Sequence, residues 1–128
     1  MTTPPSSRTK SAAHDISAFL ACAPLECSRL FLQAWEASSP EAISRLFADD
    51  GVFTNPLQPK PLVGPQQIFD AVSIGLSKIE NVTIRVTGSI EHGPKACIEG
   101  EFLSRRRADG ARFDFPFSLV LEKKGDRI

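Results

Sequence analysis

The sequence predicts an α+β domain: a layer of helices followed by a meander of long antiparallel strands, with the curved sheet wrapped round the helices like a cone. Three observations carry this. Up to Asn81 the apolar residues recur at helical spacing, and beyond it the period falls to two. Ala108-Asp109-Gly110 carries the favoured Asp-Gly pair of a hairpin turn between two apolar runs. The chain has 128 residues, 41% of them apolar, which suits one core and leaves little room for a second domain.

The elements follow in order. Residues 1–13 read as a flexible tail, and 14–128 as the domain. Asp15 to Cys22 gives a first helical signal, with Ile16, Phe19 and Leu20 on one face. Pro24 breaks or restarts the helix, and Leu30, Phe31, Ala34 and Trp35 keep the stripe going to Ala37. Ser38-Ser39-Pro40-Glu41 is a second start: Ser38 and Glu41 have capping-box spacing, and Ser39 before Pro40 is an equally good cap. Ala42, Ile43, Leu46 and Phe47 form that short helix's buried stripe. Asp49-Asp50-Gly51 turns the chain, Val52 to Asn55 is a short strand, and Pro56 to Val63 is an ordered loop or poor edge strand. Gly64-Pro65 opens a helix whose core face is Ile68, Phe69, Val72, Leu76 and Ile79.

Three strands complete the pattern. In the first, Val82, Ile84, Val86 and Ile90 alternate with polar residues. In Lys95 to Arg106, Ala96, Ile98, Gly100 and Phe102 share a face, opposite Cys97, Glu99, Glu101 and Leu103. In Arg112 to Glu122, Phe113, Phe115, Phe117, Leu119 and Leu121 share a face. Such a sheet over a helix layer leaves a cavity at its open end.

Composition excludes several classes. Fifteen basic residues balance fifteen acidic ones, so no electrostatic footprint for nucleic acid or an anionic membrane exists. No apolar run reaches about 18 residues, and Met1 to Ala13 lack the apolar core of a signal peptide. Three cysteines, Cys22, Cys27 and Cys97, form an odd set, which argues for free thiols, a reducing compartment and a cytoplasmic location. No ligand cluster for a metal stands out, and no cofactor is expected.

Leu46-Phe47-Ala48-Asp49-Asp50-Gly51-Val52-Phe53, then Asn55-Pro56, then Gly64 before a helix, resembles the nuclear-transport-factor-2-like superfamily. Within it the sequence looks most like the limonene-epoxide-hydrolase and SnoaL-like polyketide-cyclase branch, over roughly residues 26–128. The resemblance implies a cone of three helices against a curved sheet, a homodimer formed through the sheet's outer face, and a small apolar ligand. It also implies one more strand after the turn at Gly125-Asp126, so the sheet is expected to lack its last strand and to expose an edge that invites another chain. In the epoxide hydrolases an Asn and a Tyr hold a water that an Asp-Arg-Asp set activates. Asn55 matches the Asn, while Phe53, Gly100 and Phe102 stand at the Tyr, Arg and one Asp position. In the ketosteroid isomerases the base position matches Asn55 and an oxyanion donor matches Ser118.

The candidate catalytic residues are thus Asn55 and Asp50. Asn55 is suited to orient a water or a ligand carbonyl, or else to cap the proline-rich turn that follows it. Asp49 and Asp50 form a carboxylate pair, or simply end a helix. The expected pocket lining is Trp35, Phe53, Phe69, Gly100, Phe102, Phe115, Phe117 and Ser118. Glu99 and Glu101 share a strand face turned to solvent, where Arg85 and Arg112 would pair with them or with Asp114. His14 and His92 lack triad spacing, and Arg105-Arg106-Arg107 reads as a solvated basic knot. Two functions fit: a cofactor-independent hydrolase, cyclase or isomerase acting on a terpenoid, steroid or polyketide, or a non-catalytic ligand-binding or dimerisation module of the same fold.

Overall fold

Pro24 fixes the φ of a first helical turn and lacks the N–H that the turn could not satisfy. In the computed structural model, which describes residues 23–55, 59–125 and 127–128, it opens α1 (Pro24–Glu36). Residues 1–13 and the helical signal at Asp15 to Cys22 lie outside the described residues. Ala23 offers α1 no side-chain cap, and Glu91 from the sheet supplies one: its carboxylate accepts the Leu25 N–H at 2.9 Å. At the far end Glu36 accepts the Ile84 N–H at 2.7 Å. Two carboxylates therefore tie both ends of α1 to one strand.

Ser39, not Ser38, caps α2 (Pro40–Arg45), accepting the Ala42 N–H at 3.1 Å. Ser38 instead takes a left-handed turn with φ 55°. β1 (Val52–Phe53) pairs antiparallel with β2 (Leu62–Val63), Val52 opposite Val63 and Phe53 opposite Leu62. α3 (Gly64–Leu76) buries Ile68, Val72 and Leu76, as its stripe predicts. Phe69 lies one position round the helix and is exposed. Ile79 belongs to the next strand rather than to α3.

The main sheet has the order β3-β4-β5: β3 (Ile79–His92), β4 (Lys95–Arg106) and β5 (Phe115–Glu122), all antiparallel. Ala96, Ile98, Gly100 and Phe102 are all buried, as the alternation requires. β3 departs from strict alternation. Its register shifts between Val86 and Gly88, so Val86 pairs with Gly100 on the core face, whereas Ile90 pairs with Cys97 on the outer face. One inserted residue moves every later side chain to the opposite face, and Ile90 is 71% exposed.

β5 starts three residues later than predicted. Asp114 takes the place of a ladder partner by accepting the Ser104 N–H at 3.1 Å, and Phe113 sits at the rim. The outer face carries the Arg85–Glu101 ion pair. The core forms where α1, α2 and α3 meet the concave face, and Ile43, Ile68 and Ile98 are its fully buried large side chains. Cys97 is a free thiol, whereas Cys27 is disulfide-bonded to a partner outside the described residues. The free-thiol expectation is therefore corrected for Cys27: a cysteine count carries no information on local pairing.

Candidate functional site

A half-open cleft of about 360 Å³ lies between the helix layer and the side of β5 turned away from β4. It is lined by Phe31 of α1, Phe47 after α2, Val52, Phe53 and Thr54 at β1, Ser118 to Leu121 of β5, and Ile128. The backbone of Ile128 fixes one end of this lining: its N–H donates to Leu46 at 3.1 Å, and its carbonyl accepts from Ala48 at 3.0 Å.

Three phenylalanines make the floor. Phe31 meets Phe47 and Phe53 edge-on at 6.0 and 6.1 Å, and the Phe47 and Phe53 rings are 6.0 Å apart. These separations fall in the favoured range for edge-to-face pairs, so each ring restrains the other two. The aromatic contacts continue inward. Phe31 touches Trp35 at 6.4 Å, Trp35 touches Phe102 at 6.1 Å, and Phe102 stacks on Phe115 at 4.8 Å.

Of the lining residues expected from sequence, the cleft takes in Phe53 and Ser118. Trp35, Phe102 and Phe115 lie in the aromatic chain behind it, and Phe117 packs against the core. Gly100 is buried because the strands press on it: a Cβ there would stand 2.3 Å from the Arg85 carbonyl oxygen and 3.1 Å from the Phe117 ring. Phe69 stands on the exposed side of α3. The side chain of Ser118 departs from the expected role. Phe117 and Leu119 point to the core, so Ser118 points to the outer face, where its hydroxyl lies 3.6 Å from the Cys97 sulfur. It reaches the cleft from the strand's edge and is not aimed at the floor.

Among the described residues the lining contains no ionisable side chain. Asn55 follows Thr54 directly and is half-buried. Asp50 is 77% exposed and stands 4.0 Å from the Lys124 ammonium, so it faces water. Asp109 and Asp114, at the sheet's far end, have lowered pKa values. The Arg106 guanidinium, with the Ala111 N–H, lowers the pKa of Asp109. At Asp114 partial desolvation pushes upward, and the Ser104 N–H together with Arg112 outweighs it, so the net shift is downward. Each is an ion-paired surface carboxylate, which suits structure and not proton transfer at neutral pH. Among the described residues no cluster of His, Cys, Asp or Glu could hold a metal, and no helix is long and apolar enough to cross a membrane.

Sequence reasoning passed over Phe31 and Phe47 as site residues because their helical spacing marks them as core, and one ring can serve both roles. The β5 edge carried no signal, because alternation reports faces and not edges.

Comparison with known proteins places this arrangement in a family. The SnoaL-like domain family model matches residues 28–128. The chain therefore belongs to the SnoaL-like domain family, within the NTF2-like superfamily. Solved structures agree in fold. A protein of ketosteroid isomerase-like fold from Catenulispora acidiphila DSM 44928, in complex with trimethylamine, has TM-score 0.73 and 24% identity, over 83% of this chain and 81% of that one. A protein from Shewanella denitrificans OS-217 described as a SnoaL-like polyketide cyclase has TM-score 0.70 and 14% identity, over 81% and 83%. An NTF2-like protein from Burkholderia thailandensis E264 has TM-score 0.68 and 15% identity, over 83% and 85%. At these identities the likeness is one of fold. A search of curated proteins finds no match.

Proposed function

We propose that this chain binds a small apolar molecule, of terpenoid, steroid or polyketide type, in the cleft floored by Phe31, Phe47 and Phe53. The observation that carries the reading is the lining itself: aromatic and aliphatic side chains with a few hydroxyl and backbone polar groups and, among the described residues, no charge to desolvate. The family supports it, since SnoaL-like and ketosteroid isomerase-like folds are pocket folds, and one neighbour was solved with a small molecule bound. Binding is the reading this lining supports directly; a reading with chemistry rests on a residue beside it, Asn55.

The test is a titration with progesterone and with limonene, read by the fluorescence of Trp35, the chain's single tryptophan, which touches Phe31. Saturable binding at one site is expected. Phe53→Ala should weaken it at least about tenfold, the equivalent of losing a buried aromatic contact. Failure of both probes to bind, or full affinity in Phe53→Ala, would remove the reading.

A catalytic reading rests on Asn55. Half-buried beside the cleft, it is suited to orient a water or a ligand carbonyl for hydrolysis, cyclisation or isomerisation, with Asp50 as the nearest acid in sequence. Asn55→Ala separates the readings. Turnover lost with binding kept supports catalysis, and no change in either supports a turn-capping Asn55. We further propose a homodimer through the sheet's outer face, where Ile90 and Val120 are 71% and 66% exposed on either side of Cys97. Sedimentation of the wild type and of Ile90→Lys checks it.

A further inference from the structure

Cys27 stands one helical turn before Phe31 on the buried stripe of α1, and its exposure is 0%. It is disulfide-bonded, whereas Cys97 on the sheet is a free thiol. The chain has three cysteines: Cys22, Cys27 and Cys97. A sulfur with no exposed surface cannot come within bonding distance of another molecule's cysteine unless the core opens. Elimination leaves Cys22, which lies outside the described residues, as the partner of Cys27.

The bond falls at a helix end with little support of its own. Ala23 provides no side-chain cap, and the Leu25 N–H donates to a carboxylate borrowed from β3, that of Glu91. The Cys27 N–H donates to the Ala23 carbonyl at 3.0 Å, and the Ser28 hydroxyl to the Pro24 carbonyl at 2.9 Å. These hydrogen bonds sit where helices fray first. A Cys22–Cys27 bond encloses Ala23, Pro24, Leu25 and Glu26, and it ties the entry to α1 to a residue fixed in the core.

We propose that Cys22 and Cys27 form a reversible disulfide clasp, which holds the first turn of α1 closed when oxidised and releases it when reduced. To form the bond, the two thiols give up their hydrogens to a small-molecule disulfide such as oxidised glutathione, which leaves as two thiols. In the reverse direction a thiolate of a dithiol reductant attacks one sulfur. Burial bars attack at Cys27, so a mixed disulfide forms at Cys22, and Cys27 leaves as the thiolate and takes up a proton. The second thiolate of the reductant then displaces Cys22 and closes the reductant's own disulfide. A loop this short restricts the unfolded chain little, so the effect is local to the start of α1. The proposal goes beyond the small-molecule reading and stands without any ligand.

The test uses the full chain carrying Cys97→Ser, so that no third thiol exchanges. Protein equilibrated with oxidised glutathione is unfolded, alkylated and cut with trypsin, which releases residues 11–29 as one peptide holding both cysteines. That peptide should carry no alkyl group and weigh two hydrogens less than its reduced form. Residue-resolved hydrogen exchange is then followed with and without dithiothreitol. Reduction should speed exchange of the Cys27 amide at least about tenfold and leave the amides of Ala96 to Ile98 unchanged. Cys22→Ala in the same background should show the fast rate in both conditions. An alkylated peptide before reduction, a Cys27 rate that reduction leaves unchanged, or a Cys22→Ala protein that still responds to dithiothreitol would each overturn the proposal. Loss of protection at Ala96 to Ile98 on reduction would also overturn it, because the bond would then hold the whole fold and not the start of α1.

Discussion

Gly100 is where the sheet closes most tightly on a single atom position. Its absent Cβ would fall 2.3 Å from the Arg85 carbonyl oxygen, which is backbone and cannot swing away. Gly100→Ala should therefore destabilise the fold by about 1–3 kcal/mol through overpacking. A urea unfolding curve checks this, with a lowered midpoint at unchanged slope as the expected outcome. Asp114 sets a second expectation at this scale. Its pKa is lowered in the folded state, so its stabilising effect is present above the unfolded value, near about 4, and is lost as pH falls through the folded value. Asp114→Asn should melt below the wild type at pH 7, and the gap should shrink progressively as pH falls below the unfolded carboxylate value of about 4. A gap of constant size would show that the carboxylate's charge is not what matters.

Among the elements, α2 depends most on a single cap. It is six residues long, too short to persist by propensity, and Ser39 satisfies one of its orphan N–H groups. Ser39→Ala should cost about 1 kcal/mol, read from thermal unfolding, and Ser38→Ala much less. Ser38 and Ser39 were equally good caps on paper; the left-handed turn at Ser38 decides between them, and nothing in the residue types announces that turn. The same holds for β3. Its alternation was legible from Val82 to Val86, and the shift before Gly88 then placed Ile90 on the outer face. A bulge is a pairing event between two strands, so one strand's sequence does not contain it. α1 was legible as a helix through its stripe, while the carboxylates that fasten it to the sheet, Glu36 and Glu91, lie 48 and 66 residues from their partners.

On the scale of the molecule, the change of period after Asn81 and the Asp109-Gly110 hairpin were enough to read an α+β chain with an antiparallel meander, because binary pattern and turn chemistry are local properties. The cleft was not legible in the same way. Phe53 lies on a strand beside a turn and could be singled out, whereas Phe31 and Phe47 look like any core aromatic until the helices are packed. The space these three rings enclose is the proposed seat of an apolar molecule. The most direct test of this is a residue-resolved NMR titration of the full chain with progesterone. Saturating shifts concentrated at Phe31, Phe47, Phe53, Leu119, Leu121 and Ile128 are expected. Shifts that are absent, or that centre on Ile90 and Val120 of the outer face, would contradict it.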